Sequence, residues 1–178
     1  LRLLKVLPLN TPRNYFSVEE MDTILRAGIA VGLKPKVHVN QFSAMGGIAK
    51  AVELGALSVD HLEEIDQEDI EALKGSDTMP TILPSCSHFL SIPFGDARRL
   101  MENGLPVALA SDFNPGSTPS GNLSFVWSLA CVKMKMTPEE ALNALTINAA
   151  YAMDLSDTHG AISLGKRTPV ILTKEIPS

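Results

Sequence analysis

Short apolar runs alternate along the chain with segments whose apolar residues recur at helical spacing. Four of these runs have the length of strands and lack strict alternation of polar and apolar residues, which is typical of strands covered on both faces. The predicted strands lie at residues 36–40, 56–61, 78–83 and 105–111. Residues 1–7 are apolar enough for a further strand, but prolines and asparagines make the pattern hard to interpret as far as residue 16.

Helices are predicted between these strands because helix-start signals precede several of the segments with helical spacing. Residues 17–20 (SVEE) and 137–140 (TPEE) both match the capping box, in which a Ser or Thr hydroxyl and a Glu carboxylate satisfy each other's backbone N–H groups. Glycines end several of the segments, as is common at helix C-termini. The predicted helices span residues 17–31, 48–54, 66–74, 96–103, 122–135, 138–145 and 146–153.

This regular alternation of strand and helix indicates the fold class. Strands followed by helices of eight or more residues favour parallel pairing with crossover helices, which is an α/β architecture. In such folds the chemistry lies at the C-terminal ends of the strands. The tail differs, because residues 160–165 and 169–173 resemble two short strands joined by a turn.

Composition excludes several classes of partner. The formal net charge is -5 and the sequence has no Lys/Arg run, so neither nucleic acid nor an anionic membrane is an expected partner. No apolar run reaches the length of about 18 residues that a membrane-spanning helix needs. Cys86 and Cys131 have no CxxC partner, and two free thiols are typical of a reducing compartment. We therefore expect a cytoplasmic protein.

Candidate chemistry comes from polar residues at the ends of three predicted strands. His38 ends the first, His61 the second with Asp60 before it, and Asp112 follows the apolar residues 107–110 of the fourth. Because parallel strands end at one edge, we expect His38, His61 and Asp112 to converge. Imidazole and carboxylate together suit zinc or iron. Each residue alone is more often structural: a hydrogen-bonded histidine, or an aspartate that begins a turn.

The segments around these residues carry a more specific signal. They are residues 36–42 (KVHVNQF), 58–63 (SVDHLE) and 110–117 (ASDFNPGS), with support from residues 79–84, 134–141 and 146–152. In combination they resemble the imidazolonepropionase family of the amidohydrolase superfamily. The resemblance implies a TIM-type (β/α)8 barrel with a small β-sandwich built from both chain ends. It further implies that residues 1–158 are the C-terminal half of that barrel, strands 5 to 8, and that residues 159–178 are a partial β-sandwich segment.

The resemblance also implies an activity. The family hydrolyses 4-imidazolone-5-propanoate to N-formimidoyl-L-glutamate in histidine degradation, with one divalent or trivalent metal ion, zinc or iron. His38 and Asp112 would bind the metal, and His61 and Asp112 would be catalytic. The residues expected to bind the substrate are Gln41, Asn114, Gly116 and Ser117.

Departures from the family pattern leave alternatives open. The strand-1 His-x-His that completes the metal site is absent from the sequence, and Gln41 stands where many members have a glutamate that helps to activate water. An amide cannot accept a proton as a carboxylate does. We therefore expect the chain to be inactive alone and to form homo-oligomers through open strand edges. The alternatives are a non-catalytic, self-associating half-barrel and another amidohydrolase acting on cyclic amides or as a deaminase.

Overall fold

The computed structural model describes residues 3–6, 16–167, 169–170 and 174. Its centre is a five-stranded parallel sheet in which the strand order follows the chain order. The strands are β1 (Leu3–Val6), β2 (Lys34–Val39), β3 (Ser58–His61), β4 (Met79–Ile82) and β5 (Ala108–Leu109). The predicted parallel α/β class is confirmed, and residues 3–6, which the sequence left open, form the first strand.

Helices connect the strands and continue after the last one. They are α1 (Val18–Ala30), α2 (Gly47–Glu53), α3 (Gln67–Leu73), α4 (Pro84–Leu90), α5 (Ala97–Glu102), α6 (Leu123–Lys133), α7 (Pro138–Asn143) and α8 (Ala149–Ala152), with a π-helical segment (Ala144–Asn148) between the last two. Both predicted capping boxes are present at α1 and α7. Each predicted helix is found within a few residues of its expected bounds.

Two local features differ from the prediction. No helix was predicted directly after the strand at residues 78–83, but Pro84 is the first residue of α4, a position where the fixed φ of proline and its missing N–H cost nothing. The predicted strand 105–111 is only two residues long, and Asp112, three residues after its end, takes a positive φ of 53° where the chain enters the next loop.

The two faces of the sheet differ in chemistry. Alternate side chains on one face join the helices in the main apolar core, among them Val37, Val39 and Val59. The opposite face carries Lys36, Asp60 and other side chains that line a cavity of about 340 Å³. Since side chains alternate across a strand, His38 belongs to this second face. Polar residues on strands therefore point into the interior that a closed barrel would have.

Helix α8 covers one end of this cavity. Ala152 packs against Met79 and Ala108 in a small buried cluster. The Lys36 ammonium donates a hydrogen bond to the Ala152 carbonyl at 2.9 Å and lies 3.7 Å from the Asp60 carboxylate. These contacts tie the last helix to the starts of the strands, which leaves the other ends of the strands for the site.

The tail is only partly described. Residues 160–165, predicted as a short strand, form turns instead, with positive φ at Gly160 and Gly165. Most of the second predicted strand, residues 171–173, lies outside the described residues. The predicted β-sandwich segment at residues 159–178 therefore stays a prediction. Among the described helices, none combines the length and apolar character that crossing a membrane requires.

Candidate metal and catalytic site

Three of the predicted site residues lie at the C-terminal ends of strands of the sheet: His38 on β2, His61 on β3, and Asp112 shortly after β5. In the sheet register His38 is opposite Asp60, and Val39 is opposite His61. His61 is fully buried and His38 almost so. Positive φ values of 95° at His61 and 53° at Asp112 are uncommon for residues other than glycine. Such conformations cost free energy and cluster at functional sites, and Asn40 and Leu62 at the same edge share them.

The side chains of these three residues come together as the sequence predicts. The ring centroids of His38 and His61 are 3.7 Å apart, with the ring planes tilted by 34°. The His61 Nε2 atom lies 3.8 Å from Asp112 Oδ2. This nitrogen is buried and makes no hydrogen bond to any described group. A buried, unsatisfied imidazole nitrogen facing a carboxylate is the arrangement expected where a ligand completes the site.

His61 is held from behind by Glu63, a residue that the sequence analysis did not single out. The His61 Nδ1 atom lies 3.4 Å from Glu63 Oε1. Ser87 on α4 donates a hydrogen bond of 2.8 Å to the same oxygen. A carboxylate behind an imidazole fixes both its orientation and its tautomer. The sequence offered one indication of this role, the position of Glu63 two residues after His61. Helix α4 was not predicted, so Ser87 could not be placed beside Glu63 from the sequence.

His38 is held in a similar way by Gln41. The His38 Nε2 atom is 3.0 Å from Gln41 Oε1, and Gln41 Nε2 donates to the Cys86 sulfur at 3.4 Å. Gln41 is buried and both ends of its amide are used. Its predicted contact with a substrate stays a prediction.

The loop after Asp112 is folded around Asn114. The Asn114 Oδ1 atom accepts hydrogen bonds from the backbone N–H groups of Gly116 and Ser117, and its Nδ2 donates to the Asp112 carbonyl at 2.7 Å. Ser117 Oγ donates to Asp112 Oδ2 at 3.2 Å. Asn114 thus shapes the loop, and Ser117 orients the carboxylate. Substrate binding by Asn114, Gly116 and Ser117 stays a prediction.

Cys86 lies among these groups. Burial raises the pKa of its thiol to about 11, and the negative charges of Asp112 and Glu63 add to the rise, while a hydrogen bond with Ser117 opposes it. The thiol is therefore neutral near pH 7. A neutral thiol is a poor nucleophile, so Cys86 does not have the properties of a catalytic cysteine.

The donor atoms present suit a metal ion. The predicted ligands His38 and Asp112 offer nitrogen and oxygen, a combination that zinc and iron accept. Among the residues that the structure describes, His61, Glu63 and Cys86 form one group whose donor atoms all lie within 4.8 Å of one another. Two atoms at this edge of the sheet, His61 Nε2 and Glu63 Oε2, are buried without a hydrogen-bond partner among the described groups.

Other polar residues near the strands have structural roles. Asp60 accepts a hydrogen bond of 2.6 Å from Ser58 and faces Lys36 on the inner face of the sheet. The His88 ring packs edge-on against Phe125, with centroids 5.3 Å apart.

Comparison with known sequences identifies the family. A sequence model of the amidohydrolase family matches residues 17–174. The chain is 65% identical to an imidazolonepropionase of Flavobacterium johnsoniae over 164 residues, covering 92% of this chain and 40% of that protein. It is 62% identical to the imidazolonepropionase of Christiangramia forsetii, covering 93% of this chain and 40% of that protein. It is 44% identical to the imidazolonepropionase of Caldanaerobacter subterraneus, covering 88% of this chain and 38% of that protein. The chain thus spans about two fifths of these relatives.

Solved structures agree on the fold. An adenosine deaminase from Xanthomonas campestris with bound zinc superposes with a TM-score of 0.70 at 16% identity, covering 85% of this chain and 39% of that one. An atrazine chlorohydrolase variant from Arthrobacter aurescens, complexed with zinc, gives a TM-score of 0.70 at 15% identity over 85% and 38%. Because these identities are low, they show the architecture alone. The described sheet corresponds to part of that architecture. The predicted resemblance to imidazolonepropionases is confirmed by the sequence identities given above.

Since the family's sequence model covers most of the chain and the fold agrees with it, the chain belongs to the amidohydrolase family.

Proposed function

We propose that this chain is part of an imidazolonepropionase, a metal-dependent hydrolase that opens the ring of 4-imidazolone-5-propanoate to give N-formimidoyl-L-glutamate in histidine degradation. The observation that carries the proposal is the convergence of His38, His61 and Asp112 at one edge of the sheet. The 65% identity to the Flavobacterium johnsoniae enzyme supports the choice of substrate. Because the chain spans 40% of that relative, the activity belongs to a more complete assembly.

His38 and Asp112 are the residues of this chain that would hold the metal, zinc or iron. The unsatisfied His61 Nε2 beside them indicates that the hydrogen bonds of the site are incomplete without a ligand. When bound, such an ion polarises a carbonyl and lowers the pKa of water. Further ligands come from outside this chain, since its sequence has no His-x-His pair.

Asp112 is the proton carrier in this proposal. The hydrogen bond from Ser117 Oγ, 3.2 Å long, fixes its carboxylate towards His61. The carboxylate takes a proton from the attacking water and passes it to the ring nitrogen that leaves. His61, oriented by Glu63, hydrogen-bonds to the negative charge that develops on the carbonyl oxygen.

Gln41 marks a difference from many family members. Its amide cannot take a proton, so Asp112 is left as the acceptor. In its place Gln41 fixes the ring of His38 through a contact of 3.0 Å. We assign substrate contacts to the loop of Asn114, Gly116 and Ser117, whose backbone and hydroxyl groups lie beside Asp112. The enzyme is proposed to act in the cytoplasm.

Complementation tests the proposal. The chain is mixed with a second polypeptide that carries the remaining part of the Flavobacterium johnsoniae enzyme, in buffer with zinc or iron. Loss of the imidazolone ring is then followed by its ultraviolet absorption. We expect turnover only when both polypeptides and the metal are present. A stable complex with bound metal that leaves the substrate intact would contradict the proposal.

A second candidate function is that of a non-catalytic, self-associating half-barrel. The order of the sheet supports it, because β1 and β5 are its two ends and each has one edge without a described partner strand. Exposed strand edges favour association. Analytical ultracentrifugation of the chain alone separates the two candidates: a homo-oligomer without turnover, which complementation does not activate, favours the scaffold.

A further inference from the structure

The proposed hydrolysis leaves part of the donor cluster without a role. His61, Glu63 and Cys86 place one donor atom each within 4.8 Å of the others. The side chains of His61 and Glu63 have no exposed surface, and Cys86 is fully buried. The reaction uses the Nε2 edge of His61 and needs no sulfur. The hydrolysis assigns no role to the second Glu63 oxygen or to the thiol, although the thiol accepts a hydrogen bond from Gln41 Nε2 at 3.4 Å.

One of these atoms is buried without a partner. Glu63 Oε1 accepts from Ser87 and faces His61, but Oε2 is buried and makes no hydrogen bond to any described group. Leaving a buried carboxylate oxygen unsatisfied is costly, so proteins rarely do it without a ligand or water at that place. An unsatisfied oxygen on a carboxylate that belongs to a nitrogen, oxygen and sulfur donor group points to a cation.

We propose that His61, Glu63 and Cys86 form a second cation site, distinct from the His38 and Asp112 pair, that takes a thiophilic divalent cation such as cadmium or zinc. The donors are one nitrogen, one oxygen and one sulfur. Zinc–nitrogen and zinc–sulfur bonds of about 2.0 and 2.3 Å bring donors closer together than the 4.8 Å limit of this group, so small side-chain movements accompany binding. The sulfur discriminates against magnesium and calcium, which prefer oxygen.

Binding at this site exchanges a proton for the cation. The S–H bond of Cys86 breaks, its proton passes to the solvent, and the electron pair that remains on sulfur forms the bond to the metal. No oxidation or reduction takes place. The thiolate and the Glu63 carboxylate together carry two negative charges, which balance the two positive charges of the ion.

Sharing of His61 between the two sites has a consequence for activity. An ion bound at His61, Glu63 and Cys86 would engage the imidazole that the hydrolysis needs, so excess thiophilic cation would inhibit turnover. This consequence rests on the proposed function. Binding itself does not, and it is measured without substrate.

Cadmium titration of the 178-residue chain tests the site. A cadmium–thiolate bond has an ultraviolet charge-transfer absorption, which reports on cysteine ligation alone. We expect one saturable absorption per chain, which Cys86→Ser abolishes. Cys131→Ser is the matched control, because Cys131 is the other free cysteine and lies outside the cluster, and it should leave the absorption unchanged. Glu63→Gln should weaken cadmium binding at least about tenfold.

Three results would overturn the proposal: absorption that persists in Cys86→Ser, absorption that Cys131→Ser removes, or unchanged affinity in Glu63→Gln. Far-ultraviolet circular dichroism checks that each variant is folded, and Cys86→Ala replaces Cys86→Ser if the hydroxyl is not tolerated. Displacement of cadmium by zinc, seen as loss of the absorption, extends the result to zinc. Cadmium ligation without turnover in the complemented enzyme would contradict the proposed function and leave this site intact.

Discussion

The rings of His38 and His61, which come from neighbouring strands, are in contact, with centroids 3.7 Å apart and planes tilted by 34°. Each ring has its own support, Gln41 for His38 and Glu63 for His61. The contact therefore fixes the positions of the two rings and the supports fix their rotation. A site built in this way is organised before any ligand enters, which is what electrostatic catalysis and metal binding require.

Replacing Asp112 by Asn tests its two proposed roles, as a metal ligand and as the proton carrier. An amide keeps an oxygen that can accept from Ser117, so the loop should stay folded, but it cannot take a proton. We expect kcat/KM of the complemented enzyme to fall at least about 100-fold. Metal content should fall with it. Asp157→Asn, an exposed position in the tail, is the control and should change neither. Near-normal turnover in Asp112→Asn would remove this residue from the mechanism.

Lys36 and Asp60 form a buried pair on the inner face of the sheet, 3.7 Å apart. Lys36→Met should destabilise the fold by about 3 kcal/mol, because it removes a buried cation that faces the Asp60 carboxylate. The double variant with Asp60→Asn should recover part of that loss, since neither charge then remains. Urea denaturation measures both. Lys74→Met is the control, because Lys74 is exposed, and it should change the free energy of unfolding by less than about 0.5 kcal/mol. A Lys36→Met protein as stable as the parent would show that the pair is not stabilising.

Asp69 should make stability depend on pH. Burial raises the pKa of its carboxyl above 3.8. The hydrogen bonds from the Asp66 backbone and the Asn40 side chain lower the pKa but do not cancel the effect of burial. The native state therefore holds the proton more tightly than the unfolded chain does. Its contribution to stability is present below pH 3.8 and is lost as the pH rises through the native pKa.

The variant Asp69→Asn isolates this effect. Its amide oxygen can still accept from Asn40, which donates to Asp69 Oδ2 at 2.7 Å in the parent protein. Urea midpoints of parent and variant, measured at a series of pH values upward from 3.8, should diverge in favour of the variant as the pH rises. Parallel pH profiles would show that the raised pKa of Asp69 does not contribute to stability.

The two cysteines should differ in reactivity. Cys86 is fully buried with a thiol pKa of about 11, whereas Cys131 is partly exposed. Alkylation acts on the thiolate, so iodoacetamide near neutral pH should label Cys131 and leave Cys86 unmodified. Peptide mass spectrometry measures the two rates, and denatured protein, in which both should react, is the control. Labelling of Cys86 ahead of Cys131 would contradict the buried, protonated state of Cys86.

Much of the fold could be predicted because its signals are local. Ser17 and Thr137 begin helices as their capping boxes predict, since a capping box depends only on residues within one turn. The π-helical segment within residues 144–148 and the start of α4 at Pro84 were not foreseen. A proline ends a strand and begins a helix equally well, so the sequence around Pro84 did not decide between the two.

The sequence by itself determined the order and approximate positions of the strands, and parallel pairing then placed His38, His61 and Asp112 at one edge. That much follows from periodicity and from the direction of the strands. Only the tertiary structure decided the distances between the three, the support of His61 by Glu63, and the position of Cys86 beside both. These depend on sheet register, on the positive φ at His61, and on α4, which brings Ser87 and Cys86 against the sheet. Contacts between residues distant in the chain are fixed by packing, which no local pattern in the sequence encodes.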